Sequence, residues 1–164
     1  MKQDLVNSPD HYAGQGSIEC KELIKVVVSC YEAWEAACVA NIVKYVWRCH
    51  NKDGARSLKS SIWYLKEAME SFAQRSEEDR SRLKEAADSA YVINATGDTP
   101  ECLLLNMVYQ QMHKNVYNDQ EFLWFKVIIN GLRDGGIYRS KSNALDVLAA
   151  LESWSSAFAA YPLM

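Results

Sequence analysis

Between residues 58 and 72 the apolar side chains Leu58, Ile62, Leu65, Met69 and Phe72 recur at intervals of four, three, four and three. Residues three and four apart share one face of an α-helix, so this is the seam of a packed helix. A second stripe precedes it. Trp34, Cys38, Ile42, Tyr45, Val46 and Cys49 follow helical spacing over a segment that Ser29 and Glu32 open with the spacing of a capping box. Asn51, Asp53 and Gly54 supply turn residues between the two stripes. Together these features predict an antiparallel helical hairpin over about 30–50 and 55–74.

The rest of the chain reads in the same way. Ser76 with Asp79, Thr99 with Pro100, Asn118 with Glu121, and Ser142 mark further helix starts, while Gly97, Gly135 and Gly136 mark stops. A short helix over 18–27 completes a predicted set of six or seven. The segment FLWFKVII could alternatively form a buried strand, but no alternating pattern competes elsewhere. The expected fold is therefore all-α, a compact bundle built on the hairpin. With 164 residues, 49% apolar, and few Gly or Pro to form a linker, one domain over 1–164 is expected.

Composition also excludes whole classes. No apolar run approaches the roughly 20 residues of a membrane helix, and the N-terminus lacks a signal core, so a cytosolic protein without membrane contact is expected. Cys20, Cys30, Cys38, Cys49 and Cys102 show no zinc spacing and read as reduced core thiols. The net charge is −3, yet Lys44, Arg48, Lys52, Arg56 and Lys59 against Asp53 give residues 41–59 a charge of +4. One basic patch on an acidic chain suits a small anionic ligand rather than duplex nucleic acid.

Asn41, Lys44, Arg48 and Lys52 fall at helical spacing opposite the apolar stripe. Lys supplies a compact charge, Arg a bidentate fork, and Asn a neutral amide, a combination that suits phosphate. Tyr45, Trp47, Trp63 and Tyr64 could stack a base. The alternative is an ordinary solvated face.

The residues His11, Tyr12, Glu19, Asn41, Lys44, Tyr45, Arg48, Lys52, Lys59, Trp63 and Tyr64, carried on HY, NIVKYVWR and IWYL, resemble the phage-encoded nucleotide kinase-like family over residues 8–71. The resemblance implies a deoxynucleoside monophosphate acceptor, a nucleoside triphosphate donor, no Walker-type loop and residence in the host bacterial cytosol. It implies catalytic roles for Lys44, Arg48 and His11, and nucleotide contacts from Tyr12, Asn41, Lys44, Tyr45, Arg48, Lys52, Lys59 and Trp63. Ala40, Ser57, Ser60 and Ser61 depart from the family pattern of Gly, Asp, Lys and Ala. Those departures bear more on phosphoryl transfer than on binding, so a non-catalytic protein that sequesters a nucleotide is an alternative. GGIYRSKS, residues 135–142, has Ser140 in place of the second Gly of a phosphate loop and reads as a helix stop and cap.

A second resemblance joins residues 60–115 to the MazG-like all-α nucleoside triphosphate pyrophosphatases. Glu67, Glu70, Glu85 and Asp88 resemble the four acids that hold Mg²⁺ in that family, with Lys66 standing where its first Glu would be. Mg²⁺ is the cofactor this implies. His50 and His113 read as surface or helix-end residues without ligand partners. Met107, Met112, Phe122, Trp124, Phe125 and the tail SAFAAYPLM read as core or subunit contacts, and a homo-oligomer is expected.

Overall fold

The local signals foresaw most helix boundaries. A computed structural model describes residues 18–116 and 118–160, and every regular element among them is helical. The helices are α1 (Cys20–Val28), α2 (Ala33–Arg48), α3 (Gly54–Ala73), α4 (Glu77–Asn94), α5 (Pro100–His113), α6 (Asp119–Leu132), the single turn α7 (Gly136–Arg139) and α8 (Lys141–Ala160). A 3₁₀ turn, Arg133–Gly135, links α6 to α7.

Three expected caps are formed. Ser76, Thr99 and Asn118 accept hydrogen bonds from the backbone N–H groups of Asp79, Cys102 and Glu121 at 3.1, 3.2 and 3.0 Å. Such caps satisfy amides that the helix itself leaves unpaired. The capping box expected at Ser29 is not formed. Ser29 ends α1 and donates its hydroxyl to Val26 O at 3.0 Å, while Glu32 precedes α2. Tyr31 explains the break. Its buried ring sends the hydroxyl to Leu132 O and accepts from Ile137 N at 3.1 Å, so tertiary anchoring holds this link out of the helix. A reciprocal box stands one helix earlier, where Glu22 accepts from Glu19 N at 2.7 Å. The start of α8 shifts likewise, because Ser140 rather than Ser142 supplies the accepting hydroxyl.

The hairpin of α2 and α3 is the most extensive helix pair. Val39, Ile42, Val43 and Val46 of α2 are buried with Leu58, Leu65 and Ala68 of α3. Each large aliphatic side chain buried this way stabilises the fold by about 1.5–3 kcal/mol. Ser61 fits the seam because its hydroxyl bonds Ser57 O and Ile42 O at 3.2 and 3.4 Å. Helix α8 packs across both α3 and α6, contributing Val147, Leu151 and Trp154 to a hydrophobic cluster that draws on every helix. FLWFKVII lies in α6, where Phe125, Ile128 and Ile129 face the core. The short connections and 3.6-residue period outweigh the β propensity of that run.

Candidate functional site

The hairpin divides its positive charge into two environments. Arg48 is 9% exposed, and its guanidinium carbon lies 4.4 Å from the Tyr45 ring centre. Lys44 Nζ approaches the same ring at 4.7 Å. Tyr45 stacks on Tyr64 of α3, with ring centres 6.1 Å apart and planes inclined by 19°, and Trp63 meets Tyr64 edge-on at 5.0 Å. Two cations thus rest on a row of rings that spans both helices. Cation–π contact offsets part of the cost of withdrawing a charge from water and fixes its direction. The start of α1 adjoins them: burial pushes the Cys20 thiol up to about 12, and the positive fields of Lys44 and Arg48 pull the other way.

Lys52, Arg56 and Lys59 are exposed at the turn end of the hairpin. Asp53 at φ 65° and Gly54 at φ 39° bend the chain there, and Lys52 O accepts the Ser57 hydroxyl at 2.8 Å. Asn41 donates its side-chain amide to Ala37 O of its own helix at 3.0 Å. The single basic stripe expected from spacing is therefore a buried Arg48 and a half-buried Lys44 on one ring plus a solvated cluster. His11 and Tyr12 lie outside the described residues.

The four acids do not form a site. Among the described residues no group of three or more His, Cys, Asp or Glu side chains is arranged to hold a metal. Glu67 and Glu70 are on α3 and Glu85 and Asp88 on α4, but α4 packs against the Arg133–Arg139 segment instead of lying along α3. Glu70 accepts from Gln74 at 3.3 Å and Asp88 pairs with Lys84 at 2.8 Å, both within their own helices. Helical spacing placed the acids correctly on each helix and could not tell how the helices would face.

Sequence reasoning missed three buried carboxylates, Glu35, Glu121 and Asp134. Glu35, 1% exposed, accepts from Arg75 Nε, from Ser71 at 2.7 Å and from Tyr138 at 3.2 Å, tying α2 to the end of α3 and to α7. Burial raises its carboxyl pKa, but the bonds from Arg75 and Ser71 outweigh that and hold it below the usual glutamate range. Arg75 extends the network to Asp79 at 2.6 Å, and Asp79 to Arg82, which also grips Glu32 with both terminal nitrogens. Glu121, fully buried, accepts from Trp154 Nε1 at 2.6 Å and lies 3.0 Å from His50 Nε2. His50 thus stands just past the end of α2, within the expected reading, but its side chain is turned inward and has a partner. Its ring packs 4.8 Å from that of Phe158. His113 is exposed, as expected, yet it has a partner in Asp119 at 3.2 Å. The five cysteines are free thiols, four of them buried.

Residues 6–66 match a family model described as a protein of unknown function, DUF3310. No curated protein and no solved structure matches the chain. The matched segment ends at Lys66 of α3, so it holds Lys44, Tyr45, Arg48, Trp63 and Tyr64, together with the whole exposed cluster at the hairpin turn.

Proposed function

We propose that this protein binds a nucleotide by its phosphates on the α2–α3 hairpin and acts as a nucleotide kinase-like enzyme, passing a phosphoryl group from a nucleoside triphosphate to a deoxynucleoside monophosphate. The observation that carries the reading is Arg48, only 9% exposed and laid on the Tyr45 ring with Lys44 beside it. A guanidinium held in place before the ligand arrives loses little freedom on binding, and its fork matches phosphate oxygens. Lys44 and Arg48 clamp the phosphates in this scheme. Lys52 and Lys59 attract them from the exposed end, Asn41 borders the face, Tyr45 braces the two cations, and the exposed Trp63 offers ring surface to a base. His11 orients the acceptor and Tyr12 contacts the nucleotide, as the resemblance implies. Positioning and charge neutralisation are what phosphoryl transfer chiefly asks of a protein. The acids of α3 and α4 do not fit a protein-held Mg²⁺, so no step is assigned to one.

The departures from the kinase-like pattern weigh unequally. Ser57 and Ser61 are buried in the helix seam, so they remove nothing from the outer face. Ser60 stands where that pattern has a second Lys, and it costs the face one cation. This favours, as a second reading, a protein that sequesters a nucleotide without turning it over. Self-association belongs to either reading: Leu103 and Met107 of α5 and Leu123 and Val127 of α6 expose apolar side chains.

The deciding experiment incubates the protein with Mg²⁺, deoxynucleoside monophosphates and nucleoside triphosphates, then separates the nucleotides by ion exchange before and after denaturing the protein. New deoxynucleoside diphosphate supports the kinase. A nucleotide withdrawn from the free pool and recovered intact on denaturation supports sequestration. Unchanged pools overturn both.

A further inference from the structure

The other built polar surface lies far along the chain, where the Arg133–Gly135 turn meets α4, α6 and α8. Asp134 and Gly135 take consecutive left-handed conformations, φ 54° and 63°. Left-handed backbone costs a non-glycine residue about 1–2 kcal/mol, so Asp134 must be held there by its surroundings. Its carboxylate accepts from Asn94 Nδ2 at 2.5 Å and from Arg133 Nε at 3.1 Å. The turn in turn aims two carbonyls at one side chain: Arg139 donates Nε to Asp134 O at 3.0 Å and Nη2 to Arg133 O at 3.3 Å. Its guanidinium also lies 4.2 Å over the Tyr91 ring. Arg139 is therefore fixed on three sides by neutral groups, and among the described residues it forms no ion pair.

These residues line a cleft of about 460 Å³, within the range of small-molecule sites. Arg139 Nη1 and Nδ2 of Asn130, whose Oδ1 accepts from Tyr109 at 2.6 Å, have no hydrogen bond among the described residues, while the Arg133 guanidinium is engaged by Asp134, Cys102 and the Tyr109 hydroxyl. Asn143 brings a carboxamide oxygen to the same cleft, its nitrogen being bonded to Gly136 O at 3.1 Å. Since Arg133 already neutralises Asp134, the charge of Arg139 has no counter-ion of its own in the cleft.

We propose that this cleft binds a small organic phosphomonoester. Open donors on Arg139 and Asn130, with the charge of the Arg133 guanidinium beside them, suit the terminal oxygens of a phosphomonoester, and the Asn143 carboxamide and the Tyr91 edge face the body of the ligand. The proposal is independent of the hairpin reading, because no residue of α2 or α3 lines the cleft.

Titration calorimetry on the full chain tests it, with ribose 5-phosphate, a deoxynucleoside monophosphate, inorganic phosphate and succinate as probes. The expected result is binding of at least one of the two phosphomonoesters, weakened at least about tenfold by Arg139→Ala, the loss of a charge-assisted bond. Because Arg139 also braces the turn, Asn130→Asp is the companion variant. It keeps an acceptor for Tyr109 on a solvent-exposed position and sets a negative charge in the cleft, so the same loss is expected with the melting temperature unchanged. Arg48→Ala should leave ribose 5-phosphate binding intact. Failure of both phosphomonoesters to bind, equal binding of succinate, or binding that survives Asn130→Asp and is lost in Arg48→Ala would each overturn the proposal.

Discussion

The α2–α3 hairpin and the Arg133–Arg139 segment both place arginines on tyrosines, but they are built in opposite ways. In the hairpin, Arg48 and Tyr45 are three residues apart on one helix, and regular periodicity brings them together. In the second region, Arg139 meets Tyr91 of a distant helix, through a turn with two left-handed residues and hydrogen bonds to backbone carbonyls. The first arrangement should survive loss of tertiary contacts better than the second. A regular element positions its own side chains, whereas a strained turn depends on everything packed around it.

The largest test of that contrast is Glu35→Ala. It removes the buried acceptor that Arg75, Ser71 and the Tyr138 hydroxyl share, leaving Arg75 with Asp79 as its remaining carboxylate, and breaking a buried pair costs about 3–5 kcal/mol. Chemical denaturation should show that loss, and α7 should lose order before the hairpin does in hydrogen exchange. The same carboxylate predicts a pH dependence. Because its folded pKa is depressed, its contribution is fully present above the ordinary glutamate value of about 4.3 and is lost as pH falls through the lower folded value. Glu35→Gln should therefore flatten the acid limb of the stability curve.

Next in size is Gly135→Ala. The added Cβ would sit 2.6 Å from Ala87 Cβ in a left-handed residue, so strain and overpacking together should cost about 2–4 kcal/mol. Gly97→Ala is a sharp control. Gly97 also has positive φ, at 80°, but nothing lies within 4 Å of its added Cβ, so only the backbone cost should appear. Equal effects at the two glycines would mean the turn is not held by its packing.

Arg48→Ala should weaken nucleotide binding by about 1.5–3 kcal/mol in calorimetry while leaving the fold intact. Unchanged affinity would remove the hairpin from consideration as a phosphate site. The smallest effect belongs to Arg82→Ala, whose partners Glu32 and Asp79 are solvated. Its melting temperature should stay close to that of the parent protein.

Much of the fold was legible because its signals are local. Leu58 and Leu65 fall on the core face that their spacing assigned, and Ser76, Thr99 and Asn118 cap the helices their positions announced. Trp34 was misread: it fits the stripe but is 45% exposed, because α2 turns Glu35 and Val39 inward beside Cys38. A polar residue at an inward position breaks a hydrophobicity pattern, and only its partners make it tolerable. His50 and Glu121, 71 residues apart, could not be paired from spacing at all.

The sequence by itself determined that this chain is helical, where most helices begin and end, and that positive charge gathers on one hairpin. Each of those properties depends on residues within a few turns of one another, so period and cap chemistry are enough. Only the tertiary structure decided that Arg48 is buried on a ring while Lys52 is not, that the acids of α3 and α4 stay apart, and that Arg133 and Arg139 share a cleft with Asn94. These depend on how helices distant in sequence face each other, which is set by packing of the whole core and leaves no periodic trace in any one segment.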